Sequence, residues 1–315
     1  MTSVDSYGPF KIYKDDSSSS FLYVRTSNPD LFMEGLADYI VSESSLLNYA
    51  NSITPIEFTP TPKIYNKLYR TIGMFLNSQL ELIPVDKEAE GIRAVLKDEF
   101  QFTSKDSRNY VQTDKIGKIG EYIFHLLMTN YYRIPCIIPK INLVTDRNMS
   151  VFGIDALFYN LYNRTLFFGE SKVCNSIENA ITLINRSFSD YENQISEEYR
   201  LVLSNEYFNL APEFQAAFEQ YTGVCMTFKD FIEAAKIRHI CIPAFIAHGN
   251  SSKNNTVQSF LDIMNRRINK AELFGIDTQY MFISLPIINK KIMMSKIMRK
   301  VVEKSNEYRN ATSKL

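Results

Sequence analysis

Tryptophan is absent from the 315 residues, histidine occurs three times and cysteine four times. The cysteines (Cys136, Cys174, Cys225, Cys241) are scattered with no Cys-x-x-Cys, and with only His125, His239 and His248 the chain has poor material for a tetrahedral zinc site. A disulfide framework is not expected, and unpaired cysteines fit a reducing cytosol. No apolar run approaches the roughly 18 residues that span a bilayer. The opening MTSVDSYGPFKIYKDDSSSS carries acids and serines in place of an apolar segment, so a signal peptide is not expected there. The expected location is the cytoplasm, with no membrane partner. Net charge is also lacking: 35 Lys+Arg balance 35 Asp+Glu. No global basic excess draws phosphates, so any nucleic-acid site must be built locally.

What is present is globular. A 45% hydrophobic, 22% charged chain of this length can bury a sizeable core in one large domain or two ordinary ones. The 19 tyrosines and 22 phenylalanines are expected mainly in that core. Residues 1–20 read as a weakly ordered leader, with Ser17 to Ser20 as a polar tract. Residues 21–110 read as a mainly helical region. Helix is expected over 29–52, capped by Ser27 or Asn28, and over 63–80. Pro55, Pro60 and Pro62 forbid helix between them, and 81–110 reads as mixed, solvated surface. Residues 111–315 form the main domain. A helix over 114–130 precedes strands over 137–144, 153–160 and 165–173. Then come a helix over 176–193, a continuous apolar strand over 237–247, a helix over 254–274, a strand over 280–287 and a helix over 289–304. This order predicts an α/β (α+β mixed-sheet) fold with helices flanking the sheet.

The informative stretch is residues 153–173. Glu170-Ser171-Lys172 is the one Asp/Glu-x-Lys tripeptide in the chain. On a strand its acid and lysine share a face. Within an apolar run (Leu166, Phe167, Phe168, then Val173) they are costly unless used or paired. With the preceding turn centred on Tyr162-Asn163, two-residue and four-residue loops give the same register, and Asp155 stands directly opposite Glu170. Opposed side chains sit roughly 4.5–5.5 Å apart, where like charges repel. A divalent cation turns that repulsion into ligation, and Mg²⁺ suits one or two carboxylates completed by water and phosphate oxygens. Gly153 and Gly169 permit close approach of backbone or substrate. Glu121, on the preceding helix, is a third acid that a packed helix can aim at the same metal. Lys172 beside it can position or help deprotonate the attacking water and offset phosphate charge. These are the parts that phosphodiester hydrolysis needs. The bland alternative is an ordinary surface salt-bridge set.

Glu121, Asp155 and Glu170-x-Lys172 match the order and spacing of the PD-(D/E)xK nuclease superfamily, with Ile154-Asp155 in place of Pro-Asp. The segments Gly120-Glu121-Tyr122-Ile123-Phe124-His125-Leu126-Leu127, Ile138-Pro139-Lys140-Ile141, Gly153-Ile154-Asp155-Ala156 and Phe168-Gly169-Glu170-Ser171-Lys172 are more specific. They resemble the HamA effector nucleases of Hachiman anti-phage systems. The likeness is sharpest over 115–185 and continues weakly through Ile242-Pro243-Ala244-Phe245 and Leu285-Pro286-Ile287. It implies a restriction-endonuclease-like core, Mg²⁺-dependent (or Mn²⁺-dependent) DNA cleavage, and a HamB-like superfamily 2 helicase that restrains the nuclease until damaged or phage DNA is sensed. Two rival expectations stand beside it: a site-specific restriction endonuclease, and a non-catalytic subunit that only binds DNA or the helicase.

Further candidates for DNA contact are Lys115, Lys118, His125, Arg266 and Arg267. Lys115 and Lys118 read equally as solvated lysines, and His125 reads better as a partly buried, satisfied histidine. Residues 186–235 hold nine Asp/Glu against three Lys/Arg, whereas 289–315 hold eight Lys/Arg against two Asp/Glu. The neutral total is therefore an average over unlike segments. The last helix pairs a basic stripe with an apolar one (Ile292, Met293, Ile297, Val301, with Met294 and Met298). It is expected to pack on its own domain, with docking to DNA or the helicase as the alternative.

Overall fold

The structure, a computed structural model, describes residues 2–15, 21–24, 28–52, 59–76, 82–84, 101–105, 108–112, 116–139, 156–196, 227–249, 257–287 and 289–313. The N-terminal strands are β1 (Thr2–Tyr7), β2 (Phe10–Asp15) and β3 (Phe21–Val24). Helices α1 (Pro29–Ile40), α2 (Glu43–Ser52) and α3 (Pro62–Leu76) follow, then β4 (Leu82–Pro84), β5 (Gln101–Lys105) and β6 (Arg108–Gln112). Next are α4 (Ile116–Leu126), which runs into a π-helical turn over Leu127–Tyr131, and strands β7 (Cys136–Pro139), β8 (Ala156–Asn160) and β9 (Thr165–Cys174). The chain continues through α5 (Ile177–Phe188), α6 (Phe228–Ala234), β10 (His239–His248), α7 (Val257–Arg267), β11 (Thr278–Pro286) and α8 (Lys290–Thr312).

Eight strands form one mixed sheet in the order β1-β2-β3-β11-β10-β9-β8-β7, and β4-β6-β5 form a small antiparallel sheet. The strands β3, β11, β10 and β9 run parallel to their neighbours within this group, and the hairpins β1–β2 and β7–β8–β9 flank it on either side. The interior position of β10 explains its sequence. HICIPAFIAH is buried from Ile240 to His248, as a parallel strand covered on both faces must be.

Local chemistry sets the helix starts. Asn28 caps α1 by accepting from the Leu31 N–H, with Pro29 at the first helical position. Ser176 caps α5 through the Asn179 N–H, and Thr227 with Asp230 forms a capping box on α6. The sheet separates two apolar layers. One joins α1, α2, α4 and α8 to Phe158, Phe167, Phe245 and Ile283. The other joins α5, α6 and α7 to Leu166, Phe168, Ile242, Ala244 and Phe282. Strands β8, β9, β10 and β11 contribute alternate residues to the two layers.

The structure departs from expectation at the N-terminus. Residues 1–20 contain two paired strands, with Tyr7 opposite Phe10 at the hairpin, where a weakly ordered leader was expected. The region 21–110 is not only helical: β3 pairs with β11, and the small sheet contributes three strands. The expected helix over 29–52 is broken at Val41–Ser42 into α1 and α2. Helix α8 lies against α1 and α3, and Met293, Ile297 and Val301 enter the same apolar layer as Phe32, Leu36 and Tyr69. Among the described residues no helix is long and apolar enough to cross a membrane.

Candidate functional site

Strand β9 carries the candidate pair Glu170 and Lys172, and its two faces see different neighbours. Phe167 joins the layer of α4, and Gly169 and Ser171 follow on that side. A Cβ on Gly169 would lie 2.3 Å from Phe124, and one on Gly120 would lie 2.3 Å from Val173 and 3.1 Å from Ser171 Oγ. Both glycines are required by this close packing of α4 on the strand. Leu166, Phe168 and Cys174 belong to the opposite layer, and so do Glu170 and Lys172 by the alternation of the strand.

Lys172 Nζ donates to Glu170 Oε1, and the side chains are 25% and 1% exposed. The shared face predicted for Glu170-x-Lys172 is therefore observed as an ion pair at the edge of the buried layer. A second donor reaches the same oxygen: Ser187 Oγ, from the last turn of α5, lies 2.8 Å from Glu170 Oε1. Sequence reasoning missed Ser187. The signal was available, since it is a polar residue within the stripe Ala180, Ile184, Phe188 that α5 turns inward.

The register of β8 on β9 matches the expectation over its described length. Ala156 stands opposite Gly169, Leu157 opposite Phe168, and Asn160 opposite Thr165, closed by a four-residue turn over 161–164. Asp155 and Lys115 lie outside the described residues. The face assignment agrees along the pair, because Phe158 and Phe167 share one layer while Leu157 and Phe168 share the other.

Glu121 is on α4, which covers the face opposite that of Glu170 and Lys172. It sits near Tyr49 of α2, whose phenol is pushed up by burial first and then by Cys136, Tyr122 and Glu121. His125, one turn further, is 3% exposed, with its ring 4.6 Å from that of Tyr49 and 5.8 Å from that of Phe158. Burial pulls it down to about 3, so it is a neutral interior group rather than a surface phosphate contact. Lys118 is half-buried on the same helix. Arg266 and Arg267 are exposed at the end of α7. The Arg267 carbonyl accepts from Asn185 of α5 at 2.7 Å, which puts the arginine pair on the same side of the sheet as Glu170.

A second buried polar pair lies further along this face. His248 Nε2 and Ser284 Oγ are 2.9 Å apart, and the residues are 2% and 0% exposed. Such burial marks a satisfied interior pair. Cys136, Cys174 and Cys241 are buried, and burial pushes the Cys241 thiol up to about 12. The basic stripe of α8 is largely paired within the molecule. Lys296 lies 2.6 Å and Lys300 2.9 Å from Glu34, Lys300 also pairs with Asp38, and Lys304 lies 3.6 Å from Glu43. Met293, Ile297 and Val301 are buried as predicted, whereas Ile292 is 45% exposed.

Among the described residues no group of three or more His, Cys, Asp or Glu side chains is placed to hold a metal ion. The donor described on this face is the hard carboxylate of Glu170, and the two-carboxylate set expected from the sequence, Asp155 with Glu170, is the donor chemistry of Mg²⁺ or Mn²⁺ rather than of zinc.

Together, a mixed sheet flanked by helices and a buried acid–lysine pair on an inner strand define an α/β protein with a candidate acidic site. The HamA family model matches residues 12–301, most of the chain, and the chain belongs to that family. Membership points to a component of a Hachiman defence system. Comparison with curated proteins and with solved structures gives no match.

Proposed function

We propose that the chain is the nuclease effector of an anti-phage defence complex, a Mg²⁺-dependent deoxyribonuclease with a PD-(D/E)xK core. The supporting observation is the Glu170–Lys172 pair on one face of β9, beside strand β8, whose described register (Ala156 opposite Gly169) is the one expected from the sequence. Asp155 and Glu170 hold the metal, and Mn²⁺ can take its place. A bound ion there would supply Lewis acidity toward a phosphoryl oxygen and a more acidic water. Lys172 holds the attacking water in line and offsets phosphate charge, which its partial exposure permits. Glu121, expected from the sequence at the same metal, is on the helix that covers the other face of β9; in this reading it does not share the ion with Glu170, and its part is indirect. Arg266 and Arg267 supply phosphate contacts on the Glu170 side. A HamB-like superfamily 2 helicase restrains the enzyme and provides much of the grip on DNA, in keeping with the neutral net charge of this chain.

Incubating purified protein with supercoiled plasmid, with Mg²⁺ or with EDTA, tests the reading. Mg²⁺-dependent conversion to a smear is expected. Discrete fragments would indicate a site-specific endonuclease, and an intact plasmid, with and without the partner helicase, would indicate a non-catalytic subunit.

A further inference from the structure

We infer that Ser187 is a positioning residue that sets the orientation of the Glu170 carboxylate for metal binding; the inference rests on the metal-site reading above. A glutamate carboxylate rotates about a broad terminal torsion, so burial alone does not fix the direction of its oxygens. Here two donors converge on Oε1: Lys172 Nζ from the same strand and Ser187 Oγ from α5 at 2.8 Å. A serine inside a helix commonly returns its hydroxyl proton to a carbonyl one turn earlier. Ser187 is instead placed to give that proton to the strand. Its position is set by the inward stripe of α5, where Ile177, Ala180, Ile181, Ile184 and Phe188 are buried against the sheet.

The location adds to the argument. The carboxyl end of a helix presents unpaired carbonyls and repels an anion. Ser187 lies in the last turn of α5 and puts a donor where the helix would otherwise offer acceptors. Lys172 also has work toward water and phosphate in the proposed chemistry. When its ammonium turns to substrate, the hydroxyl remains as a neutral donor that keeps the carboxylate in place. Ser187 therefore acts through Glu170 and does not touch the reacting atoms.

The test is calorimetric titration of metal-free full-length protein with Mn²⁺, with no DNA present. Ser187→Ala removes the donor and favours helix, so folding is preserved. It should weaken Mn²⁺ binding about tenfold, the lower end for loss of a group that orients a metal ligand. In EDTA the melting temperature should fall by only about 2–4 °C, the cost of one donor to a buried carboxylate, so the variant stays folded at the temperature of the titration. Ser187→Thr keeps the hydroxyl and should restore binding. Wild-type affinity in Ser187→Ala, alongside lost binding in Glu170→Gln, would overturn the role of Ser187 and leave the metal site standing. Weakened binding that Ser187→Thr fails to restore would also overturn it. Wild-type affinity in Glu170→Gln would remove the metal site itself.

Discussion

Glu170 and Lys172 emerge from one face of β9 and close on each other, the carboxylate almost wholly buried and the ammonium a quarter exposed. An acid in that position is tolerable because it is paired. Lys172→Met should therefore cost stability as well as cleavage. We expect about 1–3 kcal/mol from the loss of one donor to a buried carboxylate, read by urea denaturation. Glu170→Gln/Lys172→Met together should be less destabilising than Lys172→Met alone.

The packing of α4 on β9 makes a sharper steric prediction. Gly120→Ala forces a methyl to within 2.3 Å of Val173, and Gly169→Ala to within 2.3 Å of Phe124. Each should destabilise by about 1–3 kcal/mol as an overpacked site. Gly117→Ala is the control. Its added carbon meets nothing within 4 Å, and it should stabilise α4 by roughly 0.5–1 kcal/mol.

His125 supplies a pH dependence. Its folded value is held down to about 3 by burial, against 6.5 for a free imidazole. The unfolded chain takes up a proton below pH 6.5 that the folded chain refuses, so the contribution is whole above pH 6.5 and is lost as pH falls toward 3. Between pH 7.5 and pH 5 it should remove about 2 kcal/mol. Denaturation curves at the two pH values, for wild type and His125→Phe, should differ by that amount, with the smaller slope in the variant.

Glu34 lies between Lys296 and Lys300 of α8, whose hydrogen bonds hold its carboxyl down to about 2 from 4.5. This lowered value favours the fold above pH 4.5, and the benefit disappears as pH falls to 2. Glu34→Gln should flatten the acid limb of the stability curve. Lys300→Ala should lower the melting temperature slightly and leave DNA affinity unchanged in a fluorescence titration, because that lysine is engaged within the molecule.

What could be seen in the sequence was what neighbours along the chain decide. The β8–β9 hairpin is local, so its register followed from one turn, and the shared face of Glu170 and Lys172 followed from strand periodicity. Helix α5 and strand β10 were visible through continuous apolar patterning. Strands β1 and β2 were not, because Thr2–Tyr7 is polar and becomes a strand only through a partner and a place at the sheet edge. The acids that pair with lysines of α8 lie some 260 residues earlier, at Glu34, Asp38 and Glu43, and no local pattern joins them. Ser187 reaches Glu170 across 17 residues by helix-on-sheet packing. The side of the sheet on which Glu121 falls depended on the same packing.

The most direct measurement is the rate of Mg²⁺-dependent plasmid degradation by wild type, Asp155→Ala and Lys172→Ala at equal concentration, with folding verified by thermal melts. Losses of at least about 100-fold in both variants are predicted, with a smaller loss in Glu121→Gln. Full activity in either Asp155→Ala or Lys172→Ala would contradict the account.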